Sequence, residues 1–251
     1  MQNRQQNPHV SRFKDFVRAP HHPCAMAKSV VARNAVEFGQ YAALGDAACA
    51  RSLCQDLYRA LADVPGTPWS FVALFPDEEV ADEADFESRL WRHLQLMHDF
   101  DARRHAWDRS VSRDPQDATF SFSIGGRAWY VIGMHPRASR HARRMPHVTL
   151  VFNPHAQFEM LRERGKYTML RDQIRQRDIR LQGSINPMLA DHGDKSEARQ
   201  YSGRAVPADW RCPFSARNRP RAQRRGAGVP APARSSVRRR RRTAPGRPRR
   251  C

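Results

Sequence analysis

The chain reads FSFSIGGRAWYVIGM over residues 120–134, and this stretch indicates the fold more clearly than any other. Two segments rich in aromatic and β-branched residues, 120–124 and 127–134, flank Gly125-Gly126. Two glycines between such segments are typical of a two-residue β-hairpin, because the favoured turns need positive φ angles. The stretch therefore predicts a hairpin near the centre of the chain.

Other apolar patterns place further strands and helices around this hairpin. Residues 69–75 and 147–152 predict short buried strands, and residues 35–41, which could also extend a helix, are interpreted as a strand. Apolar spacing or composition predicts helices over 12–17, 24–34, 46–61, 85–103 (capped by Asp82 or Asp85) and 155–177, with Gly165 interrupting the last. Because helices and strands do not alternate regularly, we predict an α+β fold in which several helices pack on an antiparallel sheet.

The two ends of the chain differ in composition from its centre. The first eleven residues are polar and are expected to be loose, whereas residues 12–214 are expected to form one enzyme-sized domain. Glycine and proline recur over residues 181–214, which predicts a long C-terminal loop region. Residues 215–251 hold fourteen arginines, no lysine, no acid and no large apolar residue except valine, so this tail is predicted to be disordered.

The net charge of +19 comes mainly from this arginine-rich tail. Without the tail the chain has 30 basic and 25 acidic residues, so the domain itself is only mildly basic. A genuine tail would neutralise phosphates and bind nucleic acid. The exclusive use of arginine over lysine, with Pro, Ala and Gly around it, fits GC-rich codons and favours an out-of-frame translation. A neutral tail is the third alternative.

Composition also indicates where the protein works. The chain has no run of about 18 apolar residues and no apolar stretch near its start, so we expect neither a membrane span nor a secretory signal. Its five cysteines are odd in number and form no CxxC pair. We therefore expect a protein of the reducing cytoplasm, without membrane partners.

Strings of polar residues denser than a structural loop needs run along the domain. In chain order they are HPCAMAK (22–28), LWRHLQ (90–95), WDRSVSRDP (107–115), FSFSIGG (120–126), GMHPRASRHARR (133–144), VFNPHAQFEMLR (151–162), GSINPML (183–189), EARQYSGR (197–204) and WRCPF (210–214). In this order the strings resemble those of the YqcI/YcgG family over about residues 12–214. The resemblance stops where the arginine-rich tail begins, which supports the out-of-frame interpretation.

Members of the YqcI/YcgG family are described as haem-dependent N-hydroxylases of guanidino nitrogens. The resemblance therefore implies a haem-dependent monooxygenase acting on a small guanidino or amino compound similar to arginine. An external electron donor is expected, since the chain carries no GxGxxG fingerprint for a flavin or nicotinamide.

Three residues are candidates for the axial ligand that haem iron requires under this hypothesis. His135 and His155 follow predicted strands, where a rigid scaffold can aim a side chain. Cys24 opens a predicted helix, whose N-terminus is expected to lower the pKa of the thiol and favour the thiolate. The sequence leaves all three open, with a small preference for histidine because two are available.

Other charged residues are candidates for binding haem and substrate. Arg140, Arg143 and Arg144 follow His135 and could pair with the two haem propionates, but adjacent Arg143 and Arg144 cannot both face the same way, so Arg140 and Arg144 are our candidates. A carboxylate that binds a guanidinium substrate could come from any of three acids in the polar strings, namely Asp114, Glu159 and Glu197.

Two other functions remain as alternatives at this point. The first is nucleic-acid binding through the tail, although no helix-turn-helix, zinc-finger or RNP signature accompanies it. The second is a non-haem metal enzyme, although the histidines form no HExxH motif.

Overall fold

A computed structural model describes residues 7–62, 67–189 and 194–216. Its centre is a five-stranded sheet with the order β1-β2-β5-β4-β3. The strands are β1 (Val36–Gln40), β2 (Ser70–Phe75), β3 (Phe122–Ile124), β4 (Arg127–Met134) and β5 (Val148–Pro154). All five strands fall within or next to the segments that the sequence predicts.

The hairpin forms as predicted, with β3 and β4 paired in an antiparallel register, but it lies at one edge of the sheet rather than at its centre. Gly125 and Gly126 have φ angles of 67° and 70°, which side chains other than glycine rarely adopt. A Cβ atom on Gly125 would also lie 2.7 Å from Leu61 Cδ1. Glycine is therefore required at this turn both by its backbone conformation and by its close approach to a helix.

The α+β fold class is confirmed, but the sheet is mixed rather than wholly antiparallel. β2–β5, β5–β4 and β4–β3 are antiparallel, whereas β1 and β2 run parallel. A helix connects β1 to β2, and a crossover of this length allows two neighbouring strands to point the same way. The strand at residues 35–41, the weakest of our strand assignments, is the one that breaks the antiparallel pattern.

Seven α-helices cover the two faces of the sheet within the described residues. They are α1 (Pro8–Arg18), α2 (Ala25–Ala32), α3 (Ala47–Ala62), α4 (Glu83–Asp101), α5 (Ala156–Glu163), α6 (Tyr167–Gln182) and α7 (Ala198–Tyr201). On one face α3 and α4 pack on Phe71, Ala73 and Phe75 of β2 to form the main core. On the other face α1 packs near Val72 and Leu74 of the same strand. β2 is thus buried on both sides, as its unbroken apolar run predicts.

Helix boundaries agree with the sequence in most places and differ at the N-terminus. Asp82 caps α4 by accepting hydrogen bonds from the backbone N–H groups of Ala84 and Asp85. Gly165, with φ of 65°, separates α5 from α6 as predicted. The expectation of eleven loose residues is wrong from Pro8 onward, because α1 starts there and buries Val10 against the sheet. Residues 1–6 lie outside the described part.

The C-terminal region is mostly loop, as predicted, but it packs closely on the domain. Its only regular element within residues 194–216 is the four-residue α7. Ser215 exchanges two hydrogen bonds with the Gln95 side chain on α4, so the domain extends to Ala216 rather than ending at Phe214. The rest of the tail, residues 217–251, lies outside the described residues.

Candidate functional site

A cavity of about 320 Å³ lies on the face of the sheet that α1 covers, between the strands and the helices of that side. Side chains alternate along a strand, so every second residue of β2, β4 and β5 faces this side. Val72, Val151 and Ile132 are neighbours across the three strands and form an apolar floor. The other apolar walls come mainly from α1, α2, α5 and α6, through Phe13, Val17, Val30, Val31, Leu161, Leu170 and Ile174.

One end of the floor is polar. Ser70, Asn153 and Tyr130 lie side by side on β2, β5 and β4 and line the cavity. The Ser70 hydroxyl donates to Asn153 Oδ1 at 2.7 Å, and the Asn153 amide nitrogen donates to the Tyr130 carbonyl at 3.3 Å. The Tyr130 hydroxyl in turn donates to Gln200 Oε1 at 2.7 Å. The cavity thus combines an apolar centre with a hydrogen-bonded polar end.

His155 lines the cavity at the point where β5 passes into α5. Its backbone N–H donates to the Ala128 carbonyl at 2.9 Å, which fixes the strand end, and only 8% of the residue is exposed. Its Nδ1 atom lies 3.7 Å from Glu159 Oε1, one helical turn further along α5. This separation is longer than a hydrogen bond, so Glu159 is a charged neighbour of the His155 ring and does not fix its orientation at this distance.

His135 does not line this cavity. Tyr130, Ile132 and Met134 of β4 do, so the alternation of side chains sends His135, one residue further, away from it. Its ring stacks on Phe86 of α4, with ring centroids 4.2 Å apart. Burial lowers the pKa of His135 to about 4. The position after a strand is therefore shared by His135 and His155, but only His155 reaches the cavity.

Cys24 does line the cavity, but its chemistry differs from the expectation. It caps α2, and its Sγ atom accepts a hydrogen bond from the Ala27 backbone at 3.4 Å. Burial nevertheless raises the pKa of the Cys24 thiol, because desolvation outweighs the stabilisation of the thiolate by the helix N–H groups of Ala27 and Met26. The prediction of a lowered pKa is therefore wrong, and the protonated thiol is favoured.

His22 also lines the cavity and was not among the candidates. It is 7% exposed, and its Nδ1 atom has no hydrogen-bond partner among the described residues. Burial, helped by the nearby Lys28 and His21, lowers the pKa of His22 to about 4, so the ring is neutral at neutral pH. The polar string that contains Cys24 begins at His22, and this position in the string could have identified His22 as a candidate.

The three arginines that follow His135 have three different environments, and two of them, Arg140 and Arg144, were the candidates. Arg140 lines the cavity and donates to Asp178 and to the backbone and side chain of Ser184. Arg143 also lines the cavity, and its guanidinium donates to the carbonyls of Gly133, Tyr201 and Gln200 at 2.9–3.2 Å. Arg144 is exposed and donates to the Ala138 and Ser139 carbonyls. Of the adjacent pair, Arg143 faces the cavity and Arg144 does not.

Among the described residues, carbonyl groups accept the hydrogen bonds of the buried Arg143 guanidinium, and Asp178 favours its charge from beyond ion-pair distance. The residue is 9% exposed, and no described carboxylate forms an ion pair with it. Burial lowers the pKa of Arg143, because water no longer stabilises the charged form. The described lining residues include six basic side chains and two acidic ones. The basic ones are Arg140, Arg143, Arg162, Arg171, Arg175 and Lys195, of which Arg140, Arg162 and Arg171 pair with Asp178, Glu159 and Asp172. An anionic group could still meet Arg143, which forms no ion pair with a described carboxylate.

Of the three candidate acids, Glu197 alone lines the cavity. Its Oε1 atom accepts a hydrogen bond from the Tyr201 hydroxyl at 2.6 Å. Burial raises the pKa of Glu197 to about 8. Glu159 lies outside the cavity beside His155 and pairs with Arg162, and Asp114 is exposed in a turn where it accepts from the Gln116 backbone.

Glu197 should make the protein less stable as the pH rises from about 4.5 to about 8. In that window the unfolded chain releases the Glu197 proton while the folded chain keeps it, so ionisation favours unfolding. Glu197→Gln removes this effect and retains an acceptor for Tyr201. Urea unfolding should show the variant gaining stability over the wild type between pH 5 and pH 8, by at most about 1.4 kcal/mol per pH unit.

The control for this measurement is Asp114→Asn, which neutralises an exposed carboxylate. It should follow the wild type across the whole range. An unchanged difference between Glu197→Gln and the wild type at pH 5 and pH 8 would show that the Glu197 carboxyl ionises normally in the folded protein.

Among the residues that the structure describes, no group of three His, Cys, Asp or Glu side chains is arranged to hold a metal ion. None of the described helices is long and apolar enough to cross a membrane.

Comparison with known protein families gives a match over almost the whole domain. The model of the YqcI/YcgG family matches residues 13–215. No curated protein matches the chain, and no solved structure does. The family match includes the strands, the helices and the loops that surround the cavity. Since it covers well over half of the sequence, this chain belongs to the YqcI/YcgG family.

Proposed function

We propose that this protein is a haem-dependent monooxygenase that hydroxylates a nitrogen of a small guanidino or amino compound in the cytoplasm. The observation that carries the proposal is the composition of one cavity. An apolar floor, an imidazole beside a carboxylate, two buried arginines and a half-buried glutamate all meet there. Each of these matches one requirement of haem or of a cationic substrate.

The donor set of the cavity fits haem. The porphyrin supplies four nitrogen ligands itself, so the protein needs to add only one axial donor. His155 is our choice, because it lies buried at a strand end on the cavity wall. His22 offers a second neutral imidazole in the same cavity. Val72, Val151 and Ile132 would lie against the flat apolar ring.

The arginines match the charged edge of the cofactor. Haem carries two propionates, and arginine binds carboxylates with paired N–H groups. Arg143 forms no ion pair with a described carboxylate, whereas Arg140 already pairs with Asp178. Arg143 is therefore the stronger candidate of the two, and Arg140 is available only in addition to its existing partner.

Glu197 supplies the carboxylate that a guanidinium or ammonium group requires. In the free protein burial keeps it largely protonated below pH 8. A bound cation favours the ionised form, so binding should release a proton and should strengthen as the pH rises towards 8. The Tyr201 hydroxyl holds the accepting oxygen in place. Haem iron, when bound, would supply the activation of dioxygen, with electrons from an external donor.

Haem uptake is the direct test. The full chain produced with a haem precursor should purify with about one haem per chain and should form an N-hydroxylated product from arginine when electrons are supplied. Ile132→Trp fills the centre of the cavity floor and should prevent uptake, whereas Met169→Trp, at a residue 54% exposed on α6, should not. A folded wild-type chain that remains colourless after incubation with hemin would contradict the proposal.

A further inference from the structure

α6 covers one side of the cavity without joining the hydrophobic core of the domain. Leu170 and Ile174 of this helix line the cavity. Of its sixteen residues, all of them described, Asp178 alone is buried. Neither hydrophobic cluster of the described residues includes a residue of α6, whereas α4 buries nine residues. Apolar packing therefore contributes little to holding α6 in place.

Polar contacts hold the C-terminal end of α6 to the turn that follows β4. Asp178 accepts a hydrogen bond from the Arg140 guanidinium, and both residues are buried. Gln182 donates to the Ser139 carbonyl at 2.9 Å and accepts from the His141 backbone N–H at 2.7 Å. We call these contacts of Asp178 and Gln182 the latch of α6.

A glycine lies at each end of α6. Gly165 and Gly183 have φ angles of 65° and 76°, and a Cβ atom on either would meet no atom within 4 Å. Glycine is common at helix ends, but the open space around these two also lets their backbone angles change without a clash. Few buried apolar contacts are typical of segments that open locally while the rest of the domain stays folded.

We propose that α6 is a lid on the cavity, which turns about Gly165 when the latch between Asp178 and Arg140 releases. In the closed position Leu170 and Ile174 form a wall against the occupant, and in the open position a molecule can reach the floor of the cavity. The inference concerns access to the cavity and is independent of which molecule the cavity binds. It therefore goes beyond the proposed function.

A thiol on the cavity floor measures how often the lid opens. Val151→Cys places the thiol where the valine is 8% exposed, and mass spectrometry follows the alkylation of each cysteine by N-ethylmaleimide in the ligand-free protein. Adding Asp178→Asn keeps an oxygen acceptor for the Asn186 backbone N–H but removes the charge that binds Arg140. Alkylation of the introduced thiol should become about 10-fold faster or more, because a hydrogen bond between charged groups is lost.

Controls separate opening of the lid from other effects of the substitution. Asp172→Asn makes the same change on the exposed side of α6, where the carboxylate pairs with Arg171, and should leave the rate unchanged. Native Cys54, which is 0% exposed in the main core, reports on unfolding of the whole domain and should react equally slowly in every variant. Gln182→Ala, which weakens the latch without leaving a buried charge unpaired, should give a smaller increase than Asp178→Asn.

Equal alkylation of the introduced thiol with Asp178 and with Asp178→Asn would overturn the lid. A parallel increase at Cys54 would overturn it too, since the domain would then open as a whole, and so would the same increase in Asp172→Asn. If Asp178→Asn does not fold, Gln182→Ala decides, and an unchanged rate in that variant counts against the proposal. Haem uptake is measured separately, so its failure would contradict the proposed function and leave the lid standing.

Discussion

His155→Ala is expected to lower the affinity of the protein for haem by on the order of 100-fold or more, because loss of an outer-shell partner alone costs about 10–100-fold at metal sites. His155 lines the cavity at the end of β5, and Glu159 lies 3.7 Å from its Nδ1 atom. A smaller loss is expected for Glu159→Gln, which removes a charge near the ring but keeps the ligand. Absorbance titration with hemin measures both changes.

The fold should survive His155→Ala, because the contact that anchors this residue to the sheet comes from its backbone. The N–H of His155 donates to the Ala128 carbonyl, and alanine retains that bond. His135→Leu is a control at the other strand end. It removes an imidazole that packs on Phe86 and whose nitrogens have no hydrogen-bond partner among the described residues, so haem affinity should stay unchanged.

The alternative ligands give distinct outcomes in the same titration. Haem affinity that is lost in His22→Ala and kept in His155→Ala would assign the iron to His22. A thiolate-type spectrum that disappears in Cys24→Ser would assign it to Cys24, against the raised pKa of this thiol. Loss of haem in His135→Leu, in a protein that remains folded, would contradict the location of the site in this cavity.

Glu87→Ala is expected to cost about 3 kcal/mol of unfolding free energy, because it leaves a partly buried arginine without its carboxylate. Glu87 lies on α4, is 7% exposed and accepts hydrogen bonds from three residues of the C-terminal loop region. They are Ser202 at 2.8 Å, Arg204 at 2.6 and 3.1 Å, and Trp210 at 3.1 Å. One carboxylate on α4 therefore binds the segment of the loop region that follows Tyr201.

Urea unfolding of Glu87→Ala checks this value. Glu163→Ala, an exposed glutamate at the end of α5, is the control and should change the free energy of unfolding by less than about 0.5 kcal/mol. A cost below about 1 kcal/mol for Glu87→Ala would mean that the loop region is held mainly by its apolar contacts, such as those of Phe214 with Trp107 and Phe122. Since Ser202 and Arg204, which Glu87 binds, lie a few residues after Glu197, the variant should also weaken substrate binding.

Local patterns in the sequence were sufficient for most elements of the fold. Gly125-Gly126 between two β-rich segments predicted the hairpin, because the positive φ angles of that turn are a property of two adjacent residues. The spacing of Leu53 and Leu57 predicted α3 in the same way. The parallel pairing of β1 with β2 was missed, since the direction of a strand depends on how the chain returns to the sheet and not on the strand itself.

The sequence by itself therefore determined the family, the fold class and the pool of polar residues that could form a site. Tertiary structure decided which of them meet. Alternation along β4 and β5 brought His155 to the cavity and turned His135 away, and packing of the 3-10 turn at His141–Arg143 turned Arg143 inward and Arg144 outward. Burial raised the pKa of Cys24, against the effect of the helix N-terminus. The reason is physical: residue type and spacing specify local conformation, whereas proximity, burial and the charge state of a side chain arise only where distant segments pack together.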